Sequence, residues 1–223
     1  MKPIVIVLIV LGCLFQGLFI NVEHEEKYTP AVLLKGLASL MFVGIGLTVG
    51  GAENRLFILG LVFGLLGDVL LNLRYVFPKK GQTIFLIGIV AFLIGHVLYL
   101  AALIPHAQHV WIWWCVILGA FVAAGLLAYI FKTMEVKKAF KIFGVFYLGA
   151  VFIMTAIALG IAVFTPSTRA WIYVAGAVLF TASDVVLIFN TFSGVTKFSL
   201  RITNLSLYYL GQVLIALSLF YHY

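Results

Sequence analysis

Long apolar stretches with few polar interruptions follow one another along the whole chain. They lie near residues 3–20, 30–50, 55–73, 83–104, 110–131, 142–164, 170–189 and 204–221. Most approach the roughly 20 residues that a helix needs to cross the hydrocarbon core of a bilayer, about twice the length of a membrane β-strand. Because lipid offers no hydrogen-bond partners, each span must satisfy its own backbone groups. The pattern predicts an all-α integral membrane protein with eight transmembrane helices.

The composition and the distribution of charge agree with this topology. The chain is 65% apolar and 9% charged, against about 45–50% and about 25% in soluble proteins. Three basic residues fall on the side that holds both termini: Lys2, Arg55 and Arg169. The other eleven fall on the opposite side: Lys27, Lys35, Arg74, Lys79, Lys80, Lys132, Lys137, Lys138, Lys141, Lys197 and Arg201. The positive-inside rule then predicts that both termini are non-cytoplasmic.

The net charge of +7 is explained by this orientation and by contact with anionic lipid, so nucleic acid is not an expected partner. Short loops favour a bacterial inner membrane. The two cysteines, Cys13 and Cys115, lie within apolar runs without any metal-binding or redox spacing, and we expect both thiols to be buried.

Two short sequence motifs each occur twice along the chain, and both are repeated after the same number of residues. Residues 67–71 read GDVLL and residues 183–187 read SDVVL, while 95–98 read GHVL and 211–214 read GQVL; each pair is separated by 116 positions. The repetition predicts a single membrane domain, 1–223, built from two four-helix halves of about 1–105 and 106–223 that run in parallel. Chance similarity between simple apolar words is the alternative.

Two acids, Asp68 and Asp184, lie well inside predicted spans. An aspartate at a helix centre costs about 2.5–3.5 kcal/mol on insertion scales, so such residues usually face the protein interior and serve a function. Each lies about five residues, or roughly 8 Å, before the predicted basic end of its helix. The alternative is that both only hydrogen-bond neighbouring helices.

Other polar residues share helix faces at spacings of three or four. These sets are Asp68 with Asn72, His96 with Tyr99, and Tyr208 and Tyr209 with Gln212. Converging faces would suit proton transfer, although His96 can also be an ordinary interior residue and lies some 13 residues into a helix predicted to start at Thr83. No metal is expected, since His96 is the one histidine within a span and a catalytic zinc needs three protein ligands. Lys35 can either extend to the interface or bind a phosphate.

The order and spacing of these motifs resemble the YhhN family of membrane proteins, whose characterised animal members are lysoplasmalogenases. The resemblance covers nearly the whole chain. It depends on Gly67-Asp68, Ala91-Phe92 with His96 and Tyr99, Ser183-Asp184, and Tyr208-Tyr209 with Gln212, and less strongly on Lys35, Tyr147 and Met154. Two departures, Gly36 in place of a common proline and Gly64 in place of a frequent serine, affect the expected substrate fit more than the reaction class.

The resemblance implies hydrolysis of the vinyl ether of lysoplasmalogen to a fatty aldehyde and glycerophospho-ethanolamine or -choline, without a cofactor. A buried aspartate pair can supply an acid and an anion together. The implied catalytic residues are Asp68, Asp184 and His96. The implied substrate-binding residues are Lys35, Asn72, Tyr99, Tyr147, Ser183, Tyr208, Tyr209 and Gln212. The expected partners are a lysophospholipid and the bilayer. A small lipid or solute transporter, a hydrolase of another lysolipid and a non-catalytic scaffold are the alternatives.

Overall fold

A computed structural model describes residues 2–194 and 196–222, and its long regular elements within those ranges are eight α-helices. They are α1 (Pro3–His24), α2 (Tyr28–Val49), α3 (Arg55–Val76), α4 (Gly81–Leu103), α5 (Ile112–Thr133), α6 (Lys138–Phe164), α7 (Thr168–Phe192) and α8 (Phe198–Ser218). Each is long and apolar enough to cross a bilayer. The predicted all-α membrane fold and helix count are confirmed.

Three helices extend beyond their predicted ends into more polar sequence. α3 and α7 each continue three residues further than predicted, to Val76 and Phe192. α3 ends before Pro78, because the residue preceding a proline disfavours helical geometry. α8 begins six residues earlier than predicted, at Phe198, and within its polar first turns the Thr203 hydroxyl donates to the Ser199 carbonyl at 3.0 Å.

The chain divides into two compact units, with the boundary between Leu98 and Tyr99 in α4. In the first unit, α2 packs against both α1 and α3. In the second unit, α5 packs against α6, α6 against α7, and α7 against α8. Each unit is therefore built from helices that are neighbours in sequence, as short loops favour.

Glycine pairs bring two helix backbones together within each unit. A Cβ atom on Gly176 would lie 2.7 Å from the carbonyl oxygen of Gly211, and one on Gly211 would lie 2.8 Å from that of Gly176. In the first unit, a Cβ atom on Gly95 would lie 3.1 Å from the carbonyl oxygen of Gly60. Gly176 and Gly211 lie 116 positions after Gly60 and Gly95, which is the offset of the sequence repeat. Small residues of this kind allow close helix packing in membranes.

The outer surfaces of both units are apolar. Phe121 is 72% exposed and Leu33 is 67% exposed, as lipid-facing side chains are. Polar side chains such as Asp68 and Gln212 are buried instead. The expectation that both thiols are buried is wrong: Cys13 is exposed on α1 and Cys115 is half-buried on α5, because an apolar surface in lipid has no reason to hide them.

Candidate functional site

Asp68 in α3 is held in the first unit by two side chains from α2. The Nζ atom of Lys35 forms an ion pair with Asp68 Oδ1 at 3.1 Å. The hydroxyl of Ser39 donates to Asp68 Oδ2 at 2.6 Å. Lys35 and Ser39 are four residues apart, so both project from one face of α2 toward the same carboxylate.

Asn72 extends this cluster toward the end of α1. Its side-chain oxygen accepts from Lys35 Nζ at 3.3 Å, and its Nδ2 donates to Glu23 Oε1 at 3.0 Å. The Lys35 ammonium also lies 5.5 Å from the ring centroid of Phe19. Asp68 and Asn72 therefore project from one face of α3, as predicted. This face meets the Lys35 ammonium of α2 and the Glu23 carboxylate of α1.

The pairing changes the interpretation of Lys35. Its side chain is 4% exposed and that of Asp68 is 3% exposed, so the ammonium lies in the interior and does not extend to the interface. Removing one partner of such a pair leaves an uncompensated buried charge. The pair requires Asp68 as a carboxylate, and this makes Asp68 the anionic residue of the first unit.

Asp184 in α7 has different surroundings in the second unit. The Tyr147 hydroxyl of α6 donates to Asp184 Oδ2 at 2.7 Å. Within the described residues this is the one hydrogen bond that Asp184 receives, and it comes from a neutral group. A buried carboxyl held by a phenol and not by a cation is suited to hold and release a proton.

Ser183, the neighbour of Asp184, is fully buried and faces α8. The side-chain nitrogen of Asn204 donates to the Ser183 carbonyl oxygen at 2.9 Å and to its Oγ at 3.1 Å. These bonds fix α7 to α8 beside Asp184, and they give Ser183 a positioning role within the helix pair.

A chain of hydrogen bonds between phenol and amide side chains lies further along α8. The Tyr99 hydroxyl donates to Gln212 Oε1 at 3.3 Å, and Gln212 Nε2 donates to the Tyr208 hydroxyl at 3.4 Å. Tyr208 and Tyr209 pack edge to face with ring centroids 5.0 Å apart. Tyr173 lies against Tyr99 at 6.3 Å. The structure thus joins four of the predicted binding residues in the second unit.

His96 belongs to the part of α4 that lies in the first unit. Its Nδ1 is 2.7 Å from the Phe92 carbonyl oxygen, which can only accept, so Nδ1 is the donor. Gly95 is level with Gly60 of α3, whereas Gly88 is level with Leu71. His96 is therefore more than one helical turn from the level of Asp68, as the count from the sequence cautioned.

Both aspartates lie deeper than predicted and at matching positions. Asp68 precedes Val76, the end of α3, by eight residues, and Asp184 precedes Phe192, the end of α7, by eight residues. At 1.5 Å per residue this is roughly 12 Å from the helix end in each case. The predicted depth of five residues is wrong because both helices are longer than the apolar runs.

Several polar partners were missed in the sequence. Ser39 was recognisable, since it follows Lys35 by one helical turn. Glu23 and Asn204 were assigned to loops or helix ends, and the contact of Tyr173 with Tyr99 depends on packing between helices. Across residues 2–194 and 196–222, no three side chains of His, Cys, Asp or Glu gather in a group that could hold a metal ion.

Eight spans with buried polar clusters define an all-α, multi-pass integral membrane protein. The chain belongs to the YhhN family, whose profile matches residues 3–219. Comparison with curated proteins and with solved structures found no significant match.

Proposed function

We propose that this protein is a lysoplasmalogenase-like membrane hydrolase that cleaves the vinyl ether bond of a lysoplasmalogen. The products would be a fatty aldehyde and glycerophospho-ethanolamine or -choline. Membership in the YhhN family supports the reaction class. The observation that carries the proposal is the contrast between the two buried carboxyls: Asp68 is paired with an ammonium, and Asp184 is bound by a phenol.

The reaction needs a proton donor and an anion. Protonation of the vinyl carbon that does not carry oxygen leaves an oxocarbenium cation on its neighbour. Water adds there and loses a proton, and the resulting hemiacetal collapses to an aldehyde and the glycerol hydroxyl. In total one water is consumed and the proton donor is restored.

The contrasting environments of the two carboxyls support a division of these roles. Asp184 would donate the proton to carbon and recover it from the attacking water, since its charge is not balanced by a cation within the described residues. Asp68, fixed as a carboxylate by Lys35 and Ser39, has the negative charge that the anionic role requires. The two acids have different environments and therefore different tasks.

The remaining predicted residues would orient the substrate. Tyr147 holds Asp184 in position, and Gln212 with Tyr99 and Tyr208 offers donors and acceptors for water. Because Lys35 is committed to Asp68, the basic residues at the helix ends are the better candidates for the headgroup phosphate. His96 stays a predicted catalytic residue.

The test measures free aldehyde by mass spectrometry after purified protein is mixed with a panel of lysophospholipids. We expect Asp184→Asn to lower aldehyde release by about 10²–10⁴-fold, the usual contribution of a general acid. Glu135→Gln, which changes an exposed acid in the loop before α6, is the matched control and should act like the parent protein.

Two outcomes would overturn the proposal. One is a folded Asp184→Asn protein with near parental rates. The other is a parent protein that forms no aldehyde from the panel but moves a lipid or solute across sealed vesicles, which would favour transport.

A further inference from the structure

A cleft in the second unit is shaped by three consecutive helices. It has a volume of about 400 Å³, within the usual range of small-molecule sites, roughly 300–1,000 Å³. It is lined by Cys115, Leu118, Gly119 and Val122 of α5, Phe152, Thr155, Ala156 and Leu159 of α6, and Val178, Thr181, Ala182 and Val185 of α7. Gly119 allows α5 to pack closely against α6 beside the cleft: a Cβ atom on Gly119 would lie 2.8 Å from that of Ala156.

The walls of the cleft offer nothing to a polar ligand. Its two hydroxyls are used within the protein: Thr155 and Thr181 lie 2.8 Å apart, and Thr181 donates to the Ala177 carbonyl at 2.8 Å. Their methyl groups, with the aliphatic side chains, remain to line the space. A polar occupant would lose its hydration without compensation, whereas a hydrocarbon chain would not.

The cleft is open toward the surroundings of the helices. Leu118 is 65% exposed and Val122 is 51% exposed on α5, at its edge. It follows about two turns of each helix, for example from Val178 to Val185, which is roughly 10 Å at 1.5 Å per residue. That length holds part of a long aliphatic chain, and the rest can extend into the bilayer.

The position of the cleft relative to Asp184 indicates how a bound lipid would be oriented in it. Exposed Lys137 and Lys138 precede and begin α6 at the end where α7 finishes, at Phe192. Moving from that basic end along α7, Val185 at the near edge of the cleft and the adjacent Asp184 come first, and the cleft continues away to Val178. A phosphate at the lysines, a reacting bond at Asp184 and an aliphatic chain beyond it follow the same order as in a single-chain phospholipid.

We propose that the cleft between α5, α6 and α7 binds the aliphatic chain of the lysophospholipid substrate. The inference rests on the proposed function for the identity of the reacting bond. The chain occupies the cleft, which places the ether oxygen at the depth of Asp184 and the headgroup at the basic end.

The two native cysteines provide a test that needs no turnover. Cys115 lines the cleft, and Cys13 on α1 is exposed in the other unit, so one thiol reports on the cleft and the other is an internal control. The protein carries Asp184→Asn and is held in a detergent without an alkyl chain. N-ethylmaleimide labelling of each cysteine is followed by peptide mass spectrometry.

We expect hexadecenyl lysophosphatidylethanolamine at about ten times its Kd to slow Cys115 labelling roughly tenfold, because the empty fraction falls in that proportion. Labelling of Cys13 should not change, and glycerophosphoethanolamine, which lacks a chain, should protect neither thiol. Unchanged Cys115 labelling with saturating lysolipid overturns the proposal. Equal protection by diacyl phosphatidylethanolamine also overturns it, since bulk lipid would then be the occupant.

A substitution that fills the cleft gives a second readout. Ala182→Leu adds bulk to the lining, and Ala175→Leu adds the same bulk to an exposed site two turns earlier on α7. We expect Ala182→Leu to lower the protection of Cys115 from about tenfold to about twofold at the same lysolipid concentration, and to raise KM about tenfold for the hexadecenyl substrate with kcat retained. Ala175→Leu should retain parental values, and equal behaviour of the two variants contradicts the assignment. If the parent protein released no aldehyde while lysolipid still protected Cys115, the result would count against the proposed function alone.

Discussion

At the scale of single residues, the first unit contains a buried ion pair and a surface ion pair of similar length. Lys35 and Asp68 meet at 3.1 Å with side chains 4% and 3% exposed, and Lys27 and Glu25 meet at 2.7 Å with side chains 64% and 58% exposed. Burial removes the water that would otherwise stabilise a lone charge. The same removal of a lysine therefore has different consequences at the two sites.

We expect Lys35→Met to lower the free energy of unfolding by about 3–5 kcal/mol, because Asp68 is left as an unpaired buried charge. Adding Asp68→Asn to that variant should recover much of the loss. Lys27→Met is the matched control and should be nearly silent, since exposed pairs contribute little. Thermal unfolding in detergent measures all three, and a comparable loss in both single variants would show that Lys35 and Asp68 are not paired as described.

At the scale of helices, close backbone approach holds α7 against α8. The Cβ positions of Gly176 and Gly211 lie within 2.8 Å of the opposite carbonyl oxygens, so any side chain there must push the helices apart. Gly125 on α5 has no neighbour within 4 Å of its Cβ position. A side chain at position 176 would therefore disturb the packing of α7 against α8, whereas a side chain at position 125 would meet no neighbour.

Gly176→Ala should destabilise the protein by about 1–3 kcal/mol, as overpacking does. Gly125→Ala should be neutral or slightly stabilising, since alanine is the better helix former by roughly 1 kcal/mol. The measurement is the melting temperature of each variant in one detergent. Equal effects in the same direction would refute the close contact between α7 and α8.

At the scale of the whole molecule, charge decides orientation. Eleven of the 14 basic residues follow one side of the predicted topology, which predicts that the cytoplasm is on that side and that both termini are on the other. This stays a prediction, because helices alone carry no direction across a membrane.

Epitope tags give the measurement. In right-side-out vesicles, we expect tags at the N- and C-termini to be cleaved by added protease and a tag between Lys132 and Lys137 to be protected. Inverted vesicles should give the reverse pattern. Protection of both termini in right-side-out vesicles would show that the chain is oriented in the opposite sense.

The sequence predicted what apolar length and insertion cost determine, namely eight helices and two interior aspartates. It did not predict that Lys35 pairs with Asp68, because the alignment of α2 against α3 depends on packing between helices and not on the spacing within either. Glu23 was missed since α1 continues four residues beyond its apolar run, to His24. The start of α8 was missed because the polar residues before Asn204, such as Thr203, look like loop residues until their hydrogen-bond partners are known.

The Lys35–Asp68 pair also bears on how the chain enters the bilayer during synthesis. Each charge alone adds about 2.5–3.5 kcal/mol to the insertion of its helix. α2 and α3 are consecutive and in contact, so they can leave the translocation machinery as one hairpin whose charges already compensate each other. Asp184 has no such cation among the described residues, and α7 must depend on Tyr147 of the preceding helix. Biogenesis would therefore favour the release of α6 and α7 together.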